Sequence, residues 1–207
     1  MGQYFKPCLI DKKNKSVNIS LRWHDFLCGS KLMETSYVGV HALNLFEQIL
    51  YKLNKNGSHL VAWAGDYEPG LNDDGTAVSG KTYTNSCSVD KPKDWPDNIK
   101  SLVSVNENPP YKLCEGTNVY KVNEYIYFPY VINHTKKQVV KIPDYDENDY
   151  KIHPLPLLCA TSNGMGGGDY FSDVCADFVG AWAYDAVTVG NEIPNGYELM
   201  DVEFKEN

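Results

Sequence analysis

The sequence predicts an α+β fold, a mainly antiparallel sheet with one clear amphipathic helix, built from a degenerate tandem duplication with pseudo-twofold symmetry. Three observations lead there. Tyrosine supplies 15 of the 207 residues and aromatic side chains 13%, and rings suit a pleated, half-buried surface. Ala42, Leu43, Phe46, Ile49, Leu50 and Leu53 recur at three- and four-residue steps, the spacing of one helix face. Two pairs of segments repeat in the same order at nearly the same offset, the signature of an internal repeat.

The first repeated pair lays Tyr4 to Val17 (YFKPCLIDKKNKSV) ungapped over Ile126 to Val139 (IYFPYVINHTKKQV), so that Pro7, Ile10, Lys15 and Val17 meet Pro129, Ile132, Lys137 and Val139. Each copy reads as a hairpin: an apolar strand, a polar turn at Asp11 to Lys15 or Asn133 to Lys137, and a return strand. The second pair lays Leu60 to Asp66 (LVAWAGD) over Val179 to Asp185 (VGAWAYD). The chain then reads as a single domain, 1–207, with a first half-repeat over about 4–66, a connector over about 67–118 and a second half-repeat over about 119–207.

A short helical stretch is expected at Lys31 to Ser36, broken by Gly39, and the main helix at Val40 to Asn54, stopped by Gly57. The connector is loop-like because Pro69, Gly70, Gly75, Pro92, Pro96, Pro109 and Pro110 punctuate it, with room for a short helix at Asp97 to Val103. Strands are expected at 59–64, 119–122, 125–132, 138–142, 155–160, 179–189 and 197–204. Between them lie the glycine-rich Asn163 to Asp169 and a weakly helical Tyr170 to Phe178.

Composition bounds the function. The hydrophobic fraction of 43% and charged fraction of 22% are those of a folded chain. The net charge of −8 gathers at Asp66 to Asp74 and Asp144 to Asp149, with no basic stripe to neutralise phosphates, so direct nucleic-acid binding is not expected. Such acidity serves solubility or complements a basic groove on a partner. No run approaches the roughly 18 apolar residues of a membrane span and no signal pattern opens the chain, so no membrane association and a cytoplasmic setting are expected. Gly2 is followed by Lys6 where a myristoylation site wants Ser or Thr. The six cysteines form no Cys-x-x-Cys knuckle and read as free thiols rather than a zinc site.

Met1-Gly-Gln-Tyr4, the Lys31-Leu-Met-Glu34 segment, Gly166-Gly-Gly-Asp169 and Gly180-Ala-Trp-Ala-Tyr-Asp185 together resemble a loose family of small bacterial and phage proteins of unknown function. Those proteins open with Met-Gly-Gln-Tyr and later carry Gly-Gly-Gly-Asp and Gly-x-Trp-Ala-Gly-Asp. Tyr184 stands where that pattern has glycine, and Glu68 to Asn118 is left uncovered. The resemblance implies a bacterial, phage or other mobile-element source and supplies no activity.

Candidate ligand-binding residues fall in two groups. Trp63 with Asp66 and Trp182 with Asp185 can line a shared pocket, the indoles stacking and the carboxylates accepting hydrogen bonds; they read more simply as core tryptophans on strands and turn-capping aspartates. Gly166, Gly167, Gly168 and Asp169 can aim backbone N–H groups at an anion, although the loop lacks the Lys-Ser/Thr of a P-loop and reads also as a tight turn. His24, Asp25 and Cys28, or His153 and Cys159, allow a Cys-His nucleophile to be drawn. Asp144 to Asp149 imitates a calcium loop without its Gly and Glu. No catalytic residue, metal or cofactor is assigned. The expected role is non-enzymatic binding by a monomer or homodimer, such as an accessory protein that engages a host protein or sequesters a small anionic or nucleotide-like ligand. The alternative is a small cytosolic hydrolase or transferase with a Cys/His/Asp site.

Overall fold

The computed structural model describes residues 2–26, 29–67, 69–71, 77–79, 81–108, 118–164 and 166–206. β1 (Phe5–Asp11) turns back as β2 (Val17–Ser20), and a 3-10 turn over Trp23–Phe26 and the short α1 (Leu32–Thr35) lead into α2 (His41–Leu53). β3 (His59–Gly65) returns along the free edge of β1. β4 (Pro69–Leu71) pairs with β5 (Ala77–Ser79), and α3 (Lys81–Ser86) and α4 (Asp97–Lys100) precede β6 (Val103–Val105), which pairs with β7 (Tyr120–Val122). β8 (Tyr130–Asn133) and β9 (Gln138–Lys141) form the second hairpin; α5 (Pro154–Leu158), β10 (Val187–Gly190) and β11 (Glu198–Met200) follow. The result is α+β, with every strand pair antiparallel except β11 on β9.

The two hairpins share a connectivity. In each, the first strand is central and is flanked by its return strand and a later antiparallel strand: β2-β1-β3 and β9-β8-β10, the second sheet gaining β11. Their turns also match. Lys15 and Lys137 both stand at φ 55°. The Asp11 side chain accepts the Asn14 N–H at 2.6 Å, and that of Asn133 accepts the Lys136 N–H at 2.9 Å, which is why a short polar residue opens each turn.

The Trp segments do not share that correspondence. Asp11 sits opposite His59, and Asn133 opposite Val187, so β10 rather than 179–185 occupies the place of β3. Residues 179–185 are consecutive tight turns, with Ala183 N–H donating to Gly180 and Asp185 N–H to Trp182. Gly180 at φ 78° and Tyr184 at φ 63° bend the chain left-handed, which ends any strand. A Cβ on Gly180 would meet the Ala160 carbonyl at 2.8 Å. The expected strand at 155–160 is instead α5: Pro154 occupies its first turn and His153 Nδ1 accepts the Leu155 N–H at 3.1 Å. A short apolar run fits a buried helix as well as a buried strand, and Pro at the first helical position decides it.

One hydrophobic core joins both halves, with Phe5, Phe46, Trp63, Val131, Leu157 and Val187 all in it. Each fully buried aliphatic or aromatic side chain of this kind stabilises by roughly 1.5–3 kcal/mol. The connector belongs to it too: Trp95, Ile99 and Leu102 are buried, and Trp95 Nε1–H donates to the Val89 carbonyl at 2.9 Å. α2 is buried nearly all round, including Asn44, Glu47 and Gln48. This polar stripe faces the chain rather than water. Gln48 donates to the Glu124 carbonyl, and Asn44 both donates to the Ile126 carbonyl and accepts its N–H. Residues 124–127 are therefore tied to α2 by side-chain amides and lie outside every strand. Among the described residues no helix is long and apolar enough to cross a membrane.

Candidate functional site

The residues read as ligand-binding in the sequence divide among separate structural tasks. Trp63, fully buried, packs on Phe46 edge-on at 5.1 Å and tilts against Trp23 at 6.3 Å. Trp182 is 2% exposed and lies in the same core, so neither indole presents a stacking face to solvent. Asp66 closes the β1–β3 end by accepting the Tyr4 N–H at 3.1 Å. Asp185 holds the second hairpin turn, accepting from Asn133 Nδ2 at 2.8 Å with Lys136 Nζ at 3.5 Å. The two segments do touch: Val61 N–H donates to the Asp185 carbonyl and Tyr184 N–H to that of Val61, and Tyr184 packs against the cluster of Leu60, Ala62 and Ala64.

The glycine loop is filled from within. Asp169 Oδ2 accepts the Gly166 N–H at 2.8 Å, while the Gly168 carbonyl, at φ 90°, accepts the Met33 N–H. Gly167 is exposed. The cavity beside the loop is lined by Asp169 and Glu206, so an anion entering it would meet two carboxylates.

His153 sits against a carboxylate, as an enzyme would require, but its lone pair is spent. Its Nε2 lies 3.0 Å from Glu47 Oε1 while Nδ1 accepts the Leu155 N–H. The proton is therefore on Nε2 and is donated to Glu47, leaving no free nitrogen to take a proton from a substrate. Cys159 is fully buried, and burial pushes its thiol well up, the opposite of an activated nucleophile. His24 is exposed, Asp25 pairs with Arg22 at 3.2 Å, and Cys28 lies outside the described residues. Among the described residues no group of three or more His, Cys, Asp or Glu is placed to hold a metal.

What the fold does assemble is a slot above Glu47. α2 supplies the carboxylate, 4% exposed; Oε1 takes the His153 proton and Oε2 takes Asn44 Nδ2–H at 3.2 Å. A cavity of about 180 Å³ opens over it between Tyr127, Tyr145, Pro129 and Pro143, with Asp144 at the rim. Tyr125, Tyr127 and Tyr145 stack in sequence, with centroids 6.1 and 5.4 Å apart, and His41 lies under Tyr125 at 4.8 Å. Gly39, at φ 90°, lets the Tyr145 ring lie on the backbone: a Cβ there would stand 2.5 Å from the ring. Burial, with Tyr145 and Glu47 alongside, raises the Tyr127 phenol above its ordinary value, so the ring stays neutral.

The slot continues onto an acidic face. Asp144, Tyr145, Asp146, Glu147, Asp149 and Tyr150 are all exposed in one loop. Pro143 and Asp144 also border a second, wider groove of about 590 Å³ running to β11. The other acidic stretch, Asp66 to Asp74, falls partly outside the described residues, at 68 and 72–74. Sequence reasoning named Asp144 to Asp149 but missed Glu47, Asn44 and the tyrosine stack. The signal it passed over was the polar stripe Asn44, Glu47 and Gln48, spaced three and four residues apart on the helix.

No protein-family model, curated protein or solved structure gives a significant match to the chain. Its function is therefore argued from its own geometry.

Proposed function

We propose that this chain is a non-enzymatic binding protein that engages a basic partner protein through the face formed by Asp144 to Tyr150 and the Tyr125–Tyr127–Tyr145 stack. The observation that carries the reading is the union of four exposed carboxylates with exposed, pre-stacked tyrosines in one contiguous patch. Carboxylates steer and orient a cationic partner, and tyrosines supply the contact area in which binding energy concentrates. Lys141 Nζ, 4.0 Å from Asp144, offsets one of the four charges in an exposed, weak pair. The spent lone pair of His153 favours binding over catalysis, and the self-filled glycine loop disfavours an anionic ligand. A mobile-element protein that occupies a basic groove on a host protein would have this chemistry.

Fluorescence anisotropy with a labelled octalysine peptide tests the reading. Its dissociation constant should rise at least tenfold when salt is raised well beyond the low-salt limit, because screening shortens from about 30 Å at 0.01 M to about 8 Å at 0.15 M. The variant carrying Asp144→Asn, Asp146→Asn, Glu147→Gln and Asp149→Asn should lose the binding. Affinity indifferent to salt, or retained by the neutralised loop, contradicts the proposal.

A further inference from the structure

The Glu47 carboxylate is the one feature of this face that an ordinary acidic surface does not explain. It is desolvated, yet its hydrogen-bond partners are a neutral imidazole and an amide, and among the described residues no lysine or arginine pairs with it. Buried carboxylates in folded proteins are generally matched by a cation. Here the place of that cation is the cavity itself. Besides His153 and Asp144, its lining is mostly apolar, with Val38, Pro129, Ile142 and Pro143 beside Tyr127 and Tyr145, surface suited to a methylene chain, with aromatic groups that attract a cation. At about 180 Å³ it is smaller than the roughly 300–1,000 Å³ of a cofactor or drug-sized site. A side-chain-sized group fits that space.

We infer that the slot over Glu47 is a binding site for an alkylammonium group, the side chain of a lysine presented by the basic partner. The ammonium lies against Glu47 at the floor, its stem runs along the stacked Tyr127 and Tyr145 rings, and Asp144 at the rim guides entry. Gly39 belongs to the same device, since only a residue without Cβ lets Tyr145 close that wall. The inference rests on the reading of the acidic face and sharpens it from a charged surface to a pocket for one lysine.

The test uses n-butylammonium chloride as a probe of the slot and butan-1-ol as its neutral counterpart, followed by the ring proton resonances of Tyr127 and Tyr145. Saturable shifts with butylammonium and none with butanol are expected. The dissociation constant should rise at least tenfold in Glu47→Gln and in Tyr145→Ala; the second variant alters an exposed ring and guards against a folding defect in the first. Octalysine should displace butylammonium competitively. Equal shifts from the two probes, or butylammonium binding unchanged in both variants, overturns the site. Failure of octalysine to displace a bound butylammonium overturns its assignment to a partner's lysine. If octalysine binds wild type and Glu47→Gln alike, the slot fails while the acidic face stands; if butylammonium saturates the slot and octalysine never binds, the face fails.

Discussion

Asp185 and Glu47 are both carboxylates held by an asparagine amide, at 2.8 Å from Asn133 and 3.2 Å from Asn44. Their second partners differ. Asp185 has the Lys136 ammonium at 3.5 Å and spends its charge inside the molecule, fixing a hairpin turn. Among the described residues, Glu47 has as its second partner the Nε2–H of an imidazole whose other nitrogen caps a helix. The same local chemistry therefore makes a structural joint where a cation is built in and a receptive site where it is left out. Being acidic and hydrogen-bonded does not distinguish a binding carboxylate from a structural one; what faces its free lone pairs does.

The largest expected effects belong to the structural side. Trp63→Ala and Trp182→Ala should each cost about 3–5 kcal/mol, the usual range for emptying a buried aromatic site, measured by chemical denaturation. A loss below about 1 kcal/mol for either would return that indole to the list of ligand contacts. Glu47→Ala should cost about 1–3 kcal/mol, because it strands the buried donors of His153 and Asn44; a neutral outcome would mean the carboxylate is not held as described. Lys136→Met should cost no more than about 1 kcal/mol, since a half-exposed ion pair is weak. Tyr145→Ala should leave stability within about 0.5 kcal/mol while weakening partner binding, so a folding defect there would make the ring structural.

The smallest effect is a pH dependence beside the site. Burial lowers the pKa of His41, which packs under Tyr125, and also those of His134 and His59, in the last against the opposing Asp11 charge. The unfolded chain then binds these protons more tightly than the folded one. Their contribution to stability is present above the unfolded value of about 6.5 and is lost as pH falls through the lower folded values. The thermal midpoint should drop on acidification through that window, and His41→Phe should flatten the slope; an unchanged slope would place His41 in water.

Much of this molecule was legible where structure is local. α2 announced itself by periodicity, and the two hairpins by matching turns that place Lys15 and Lys137 at the same φ. The Trp-Ala-x-Asp match misled because four shared residues do not carry a conformation: Gly180 and Tyr184 turn one copy left-handed while the other extends between β1 and residues 159–161. Position 184 stands at φ 63°, a conformation that glycine adopts without strain and tyrosine does not. The slot was not legible because its parts come from α2, from residues 127–129 and from residues 143–145 and 153, and only the fold brings them together. The stretch 125–132 reads as strand by its rings, yet β8 begins only at Tyr130, and amides of Asn44 and Gln48 bind residues 124–126 instead and leave Tyr125 and Tyr127 exposed.

Chemical-shift mapping of the whole chain during an octalysine titration tests the central claim most directly. The account predicts shifts concentrated at Tyr125, Tyr127 and residues 144–150, with Gly166 to Asp169 and the Trp63 and Trp182 indoles unmoved. Shifts centred on the glycine loop or the indoles, or spread evenly over every acidic residue, would contradict it.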